Sequence, residues 1–291
     1  MSFKNFIPTL WAEGVQRELE RYHGWKATCN MEYEGLVEKM GDEVIIPWAV
    51  RPTIKTGGIK TVPNLSSPES AKTVDVTMQI DQMAYFNYEI DDIDKKQAAG
   101  TMEGAFKAET TEGMADVMDV AIAKLAFSKG VQKANTTSTN IKLVAGTAST
   151  NEINICDALL EGREKLSAND VKRSTPIDVF LPPWAVTLYK KEMGLGRETN
   201  AGDELLKKGI VDIFDGMNIR ETNNIATEEV SSANQYGITM KTRNAIAFAN
   251  PIIYSEPIRS HEHFADILRG YTGFGCKVIR PKEMYVLNYT K

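Results

Sequence analysis

One stretch constrains this chain's fold more than any other. Residues 51–72 contain Pro52, Gly57, Gly58, Pro63, Asn64, Ser66, Ser67 and Pro68, with few core-forming side chains. About 22 consecutive residues of turn chemistry are uncommon inside a compact domain, where such loops are usually functional or ordered by something else. The stretch lies between strand-like segments. Val44-Ile45-Ile46-Pro47 reads as a strand ended by its proline. Residues 73–81 alternate cleanly, with Val74, Val76, Met78 and Ile80 apolar and Asp75, Thr77, Gln79 and Asp81 polar. Phe86, Tyr88 and Ile90 continue the alternation after a break at residues 82–85. A two-stranded hairpin has no core of its own and is marginal alone. Either this one ends in a loose surface loop, or another chain holds it; the pattern leaves both open.

The flanking segments point the same way. Residues 6–22 place Phe6, Leu10, Val15, Leu19 and Tyr22 near helical spacing, with Trp11 beside the stripe, and no core precedes them. Asp91-Asp92-Ile93-Asp94 reads as the acidic first turn of a helix, opposing the positive end of its dipole. A metal site is the competing reading of these aspartates, but no other carboxylate cluster or histidine has ligand spacing to them. The helix is expected to run to Ser128. Met114, Val117, Met118, Ala121 and Leu125 form its apolar stripe. At that length it measures about 50 Å, a spine rather than an ordinary core helix.

Residues 131–152 are polar and read as a linker into a second unit. Helices are expected around Ile155–Leu166, Trp184–Tyr189 and Leu205-Leu206, with a strand over residues 177–181. Asp215-Gly216 marks a tight hairpin. Short strands follow at 238–241, 245–249 and 252–254. An apolar, helix-like stretch starts at Phe264 and is broken by Gly270, Gly273 and Gly275, and the last strands cover 276–279 and 284–287.

Composition excludes several classes. The chain has 291 residues, enough for one large domain or two small ones. With 34 Lys+Arg against 39 Asp+Glu, the net charge of -5 argues against a protein that grips nucleic acid. No apolar run approaches the ~20 residues of a membrane span, so no membrane partner is expected. Cys29, Cys156 and Cys276 lack paired spacing and read as buried free thiols. His261-Glu262-His263 has the wrong spacing for the helical zinc motif. The glycines from Gly270 to Gly275 precede a strand, the reverse of a dinucleotide-binding turn. No phosphate loop or nucleophile elbow appears. No catalytic residue, cofactor or metal is therefore expected, and the chain reads as an assembling structural protein.

Ordered motifs then carry a resemblance. Asn5-Phe6-Ile7-Pro8-Thr9-Leu10-Trp11, Cys29-Asn30-Met31-Glu32-Tyr33-Glu34-Gly35 and Lys39-Met40-Gly41-Asp42-Glu43-Val44-Ile45-Ile46-Pro47 resemble the opening of tailed-bacteriophage major capsid proteins. Phe86-Asn87-Tyr88-Glu89-Ile90-Asp91-Asp92-Ile93-Asp94 resembles that family's entry into its spine helix. Ala245-Ile246-Ala247-Phe248-Ala249 and Gly275-Cys276-Lys277-Val278-Ile279-Arg280-Pro281 fit the same group. The likeness spans almost the whole chain.

The resemblance implies an α+β chain with the Hong Kong 97-type capsid fold. It maps residues 1–40 to an N-terminal arm, 41–90 to the E-loop hairpin and its flanking strands, 91–130 to the spine helix, 131–242 to an axial domain, and 243–291 to a return through the peripheral domain ending in an axial strand. The E-loop residues Arg51, Ile54, Lys55, Lys60, Val62 and Leu65, and the arm residues Phe6, Leu10 and Trp11, are expected to contact neighbouring subunits. The implied function is a major capsid protein whose pentamers and hexamers form an icosahedral head around double-stranded DNA, bound without sequence specificity. A portal protein is an expected partner. So is a separate scaffolding protein, because the arm begins near residue 3. The expected location is the virion, assembled in the host cytoplasm. The competing readings are an encapsulin-like compartment shell, a soluble enzyme whose site forms only in the fold, and a nucleic-acid-binding module.

Overall fold

A computed structural model describes residues 24–36, 43–49, 52–54, 69–70, 73–91, 102–128, 132–134, 141–193, 211–230 and 233–291. In chain order the elements are β1 (Glu43–Ala49), β2 (Thr73–Gln79), β3 (Gln82–Asp91), α1 (Met102–Ser128), β4 (Gln132–Ala134), β5 (Lys142–Val144), β6 (Glu152–Asn154) and α2 (Ile155–Ala168). Then come β7 (Ile177–Leu181), α3 (Pro183–Glu192), β8 (Asp212–Phe214), β9 (Met217–Glu221), β10 (Thr227–Val230), β11 (Ala233–Thr242), β12 (Ile246–Arg259), β13 (Ala265–Val278) and β14 (Met284–Thr290).

The described strands form three sheets. β1 and β2 make an antiparallel pair, and β12-β13-β3 make a three-stranded sheet. The third has nine strands in the order β6-β5-β14-β11-β7-β9-β8, with β10 on β11 and β4 on β14. Its central members are legible in composition: every residue of β7 and of β14 is buried, as suits strands covered on both faces. Local chemistry sets several boundaries. The Asn154 side chain accepts the Cys156 N–H at 2.8 Å and caps α2. Pro183 opens α3, where its missing N–H costs nothing. Asp215 and Gly216 both hold positive φ, 46° and 77°, as a two-residue turn between β8 and β9 requires.

Each sheet has its own apolar cluster. α2 and α3 cover the nine-stranded sheet through Leu159, Leu166, Val186 and Tyr189, packed with Val179, Ile219, Met240 and Leu287. α1 lies on the three-stranded sheet through Met114, Met118, Ile122 and Ala126, against Phe248 and Phe274. The third cluster joins Val44, Ile46, Met78 and Ile80, at one end of the β1–β2 pair, to Ala247, Ala249 and Ile279.

Several sequence expectations need correction. Pro47 lies inside β1 rather than ending it, which a two-stranded sheet tolerates because both of its strands are edges. The break after β2 falls at residues 80–81, and β3 pairs with β13 in a different sheet. Asp91 ends β3 opposite Ala265 instead of opening the helix; residues 92–101 lie outside the described residues. α1 is thus described over 27 residues, about 40 Å. Met114 and Met118 of its expected stripe are buried, but Val117 is exposed, and Ala115, Ile122 and Ala126 complete the buried face.

The polar stretch after α1 contains three short strands held by pairing with β14 and with each other. The strands expected at 245–249 and 252–254 are one strand, β12, with a bulge between Ala249 and Ile252. The helix-like stretch from Phe264 is β13, whose glycines admit neighbours: a Cβ on Gly270 would lie 2.6 Å from the Phe86 ring. Of the three free thiols only Cys29 is fully buried; Cys156 and Cys276 are partly exposed. The helix expected at Leu205-Leu206 lies outside the described residues.

Candidate inter-subunit surfaces

The hairpin carries an apolar ladder that its own chain covers only at one end. Antiparallel register sets Val44 opposite Met78, Ile46 opposite Val76 and Trp48 opposite Val74. These residues share one face, because alternate positions point the same way. At the inner rung Val44 is 7% exposed and Met78 0%; Ile46 is 5% exposed; at the outer rung Trp48 is 41% exposed and Val74 51%. Ile45, on the opposite face, is also exposed, and Ile54 beyond the strands is 71% exposed. The N–H of Thr53 donates to Glu69 Oε2 at 3.0 Å, tying the two limbs together past the last rung. Trp48 and Val74 thus form an exposed cross-strand apolar pair, a candidate interaction surface.

The three-stranded sheet presents a second such surface. Tyr85, Tyr271 and Tyr254 stand side by side across β3, β13 and β12, all exposed, with the last two rings 5.5 Å apart. In the next row Arg269 Nε donates to Glu256 at 2.6 Å, and Tyr254 Oη donates to the same carboxylate at 2.5 Å. That pairing holds the Glu256 carboxyl below its usual range and raises the Tyr254 phenol. The other face of β3 turns Ala84, Phe86 and Tyr88 toward α1, where the Tyr88 and Phe106 rings are 5.8 Å apart. At the β12–β13 turn, His261, Glu262, His263 and Phe264 are all exposed.

Residues 24–36 thread between the two larger sheets. The N–H groups of Gly24 and Trp25 donate to the two carboxylate oxygens of Asp119 on α1, each at 3.2 Å. The Trp25 indole stacks on Phe180 of β7, and its Nε1 donates to the Asn224 carbonyl at 3.1 Å. Asn30 pairs with β12, donating to the Ile246 carbonyl and accepting from the Phe248 N–H. Lys241 is fully buried; its Nζ donates to the Thr28 carbonyl at 2.6 Å and lies 3.8 Å from Cys29 Sγ. Burial lowers the lysine's pKa and raises the thiol's.

Of the contact residues expected from sequence, Ile54 is described, and its side chain is exposed. Arg51, Lys55, Lys60, Val62 and Leu65, and the arm residues Phe6, Leu10 and Trp11, lie outside the described residues. Sequence reading did not single out Trp48 and Val74, which the structure shows as exposed apolar residues. The alternation of Val44, Ile46 and Trp48 would have found the first, had Pro47 not been read as a stop. It also missed the tyrosine row, which exists only in the register of three strands distant in sequence. Among the described residues no group of three or more His, Cys, Asp or Glu side chains could hold a metal ion. No described helix is long and apolar enough to cross a membrane.

A long helix on a three-stranded sheet, a large mixed sheet that takes the C-terminal strand at its centre, and a side hairpin together define a mixed α+β chain with the phage capsid fold. Solved structures match it across most of their length. One from Mycobacterium phage Che8 is 24% identical, with 89% of each chain covered and a TM-score of 0.63. The capsid of Ralstonia phage GP4 is 11% identical over 90% of this chain and 86% of that one, with a TM-score of 0.64. A virus-like particle from Pyrococcus furiosus is 10% identical over 97% and 99%, with a TM-score of 0.57. No protein-family model matches the chain, and no curated protein sequence matches it.

Proposed function

We propose that this chain is the major capsid protein of a tailed phage, a structural subunit without catalytic activity. The observation that carries the reading is the apolar ladder from Val44–Met78 to Trp48–Val74, which its own chain buries at one end and leaves open at the other. A second copy completes it. Contact between different patches on successive copies closes into rings when the rotation allows, giving pentamers and hexamers. The likeness in fold to the capsid of Ralstonia phage GP4 supports the same reading.

In this reading residues 1–40 are the arm, 41–90 the E-loop hairpin with its flanking strands, 91–130 the spine, 131–242 the axial domain, and 243–291 the return. Arg51, Ile54, Lys55, Lys60, Val62 and Leu65 meet one neighbour, and Phe6, Leu10 and Trp11 another. The head encloses double-stranded DNA, and a net charge of -5 suits a wall that does not grip phosphate. A portal and a scaffolding protein are the further partners, assembly taking place in the host cytoplasm and the product residing in the virion.

Electron microscopy of the purified protein, alone and co-expressed with its neighbouring head genes, tests this. Closed shells are expected. A chain that stays a 32.3 kDa monomer under both conditions overturns the reading. The likeness to the Pyrococcus furiosus particle favours a second reading, a cargo-holding compartment. Particle contents decide between them: DNA supports the phage head, and a packaged protein supports the compartment.

A further inference from the structure

α1 carries apolar residues on two opposite sides. Met114, Met118, Ile122 and Ala126 are buried on the side that covers the three-stranded sheet. The outward side carries Phe106, Thr110, Gly113, Val117, Val120 and Lys124, at alternating intervals of four and three residues. That alternation keeps a single seam along a helix, the kind a second helix packs against. Here the seam runs about 27 Å. Phe106 is 43% exposed even with its ring beside Tyr88, and Val117 is 50% exposed. Beside Val117 the seam opens on a concavity of about 680 Å³, walled by Val120 and Ala121 of α1 and by Gln82 of β3. A helix that covers one sheet needs one apolar face and is ordinarily polar on the other.

Two further observations say what fits there. Gly113 sits in the middle of the seam, where a glycine weakens the helix. A Cβ on it would meet nothing within 4 Å among the described residues, so packing inside the subunit does not require the glycine. A bare position with open space in front of it admits the close approach of another backbone. The second observation is charge. Glu109 and Asp116 stand seven residues apart on one shoulder of the seam, both exposed. Asp116 accepts from the Asn224 side chain at 2.8 Å and is exposed all the same. In a helix pair such flanking positions face the flanks of the partner. A second α1 laid antiparallel would set these acids against their own copies. Laid parallel, it would set them opposite the positions of Met114 and Ala121 and leave them unpaired. A partner with a basic flank is the complementary one. Lys124 closes the seam, its stem still covering apolar surface.

We propose that the outward seam of α1 docks a helix of another protein, amphipathic, with apolar residues at the same four-and-three spacing and Lys or Arg along one flank. Its apolar side chains lie over Val117, Val120 and the concavity beside them. Its backbone passes closest at Gly113, and its basic flank meets Glu109 and Asp116. This is the helix-on-groove mode of recognition. The inference goes beyond the shell reading and does not depend on it, because it rests on one helix of a single subunit.

Peptide binding to the full chain tests it. The probe is a designed helix of three heptads with leucine at the seam positions and lysine along one flank, carrying a fluorescent label read by anisotropy. Its control has glutamate in place of each lysine. The lysine peptide is expected to bind about tenfold or more tighter than the glutamate peptide, with the gap narrowing at high salt. Glu109→Lys combined with Asp116→Lys is expected to reverse that preference, and Val117→Asn to weaken the lysine peptide about fivefold or more. Both variants alter exposed side chains, and each decides alone should the other fail to fold. Equal affinity for the two peptides, a preference untouched by the charge reversal, or binding of neither peptide would overturn the proposal. Self-association of the protein alone that Val117→Asn abolishes would assign the seam to a second copy and overturn it as well.

Discussion

The indole of Trp25 lies face to face with the ring of Phe180, their centroids 3.8 Å apart and their planes 9° apart. Trp25 belongs to the segment 24–36 that threads between the two larger sheets, and Phe180 to the centre of the nine-stranded sheet. Phe180 is also counted in the cluster beneath α1, so this pair is where the two larger layers and the incoming chain meet. Lys241, one strand over, adds its Nζ 5.7 Å from the Phe180 centroid and its hydrogen bond to Thr28. The incoming segment is thus fixed by apolar contact on one side and charged or backbone hydrogen bonds on the other.

Replacing Trp25 by alanine removes a fully buried aromatic ring and leaves a cavity. A loss of about 3–5 kcal/mol in unfolding free energy is expected by urea denaturation. Trp25→Phe keeps most of the contact and loses the hydrogen bond to the Asn224 carbonyl, a net loss of about 1 kcal/mol for the bond itself. Equal losses for the two variants would show that the stack contributes little.

The hairpin separates folding from assembly. Trp48→Glu places a charge on the outer, open rung, so the isolated subunit should keep its stability within ~0.5 kcal/mol. Particle yield by sucrose gradient should fall sharply. Ile46→Glu buries the same charge two residues inward and is expected to cost about 3–5 kcal/mol and the fold with it. Normal particles from the Trp48 variant would remove the ladder from the interface.

These two rungs also show how far the sequence could be read. The hairpin was legible because its apolar alternation is local, and the Asp215-Gly216 turn was legible because its backbone geometry is local. β13 was not. Phe264, Ile267 and Leu268 fall at helical spacing, and glycines usually break a strand. Here they are small because the Phe86 ring crosses Gly270 and the Gln79 carbonyl approaches Gly275. The three-residue strands β4, β5 and β6 have too little pattern of their own and form through pairing with β14 and with each other, β14 lying far away in sequence. The tyrosine row needs residues 85, 254 and 271 in register, which no local signal encodes.

Alkaline pH should expose the partly buried thiol of β13. Burial pushes Cys276 from 9.0 up to about 12, so between those values the native state keeps a proton that the unfolded chain releases. Stability then falls as pH rises, by up to ~1.4 kcal/mol per pH unit for this group. Cys29, also raised, acts in the same direction, while Lys241, lowered by burial, acts in the opposite one. Cys276→Ala isolates the single contribution. In reducing buffer the stability gap between wild type and variant should narrow from pH 9 to pH 10.5 relative to its value at pH 8. A constant gap would mean that the thiol ionises equally in both states.

Arg163 on α2 is 4% exposed, and its Nε, Nη1 and Nη2 have no hydrogen-bond partner among the described residues. A buried guanidinium in that condition opposes folding. Arg163→Met, similar in length and apolar, is expected to raise unfolding free energy by about 1–3 kcal/mol in guanidinium titrations. A loss of stability would show that the charge is compensated.

Gly275 fixes how the hairpin leaves the body of the subunit. A Cβ there would lie 2.2 Å from the carbonyl oxygen of Gln79, the last residue of β2, and 2.9 Å from Ile80 Cδ1. Ile80 can turn aside, but the Gln79 carbonyl is backbone and moves only if β2 moves with it. Gly275→Ala therefore forces β2 away from β13 or strains the pair, at a cost of about 1–3 kcal/mol. Because β2 carries half of the apolar ladder, a small shift at its inner end is magnified at Val74, about 17 Å along the strand. In the proposed shell, curvature depends on where that outer rung lands. Particles of altered diameter or open sheets are expected by electron microscopy from a variant that still unfolds cooperatively, whereas Gly216→Ala, with open space at its Cβ, should lose stability through its φ of +77° and leave particle size unchanged. Normal particles from Gly275→Ala would show that the base of the hairpin does not set its direction.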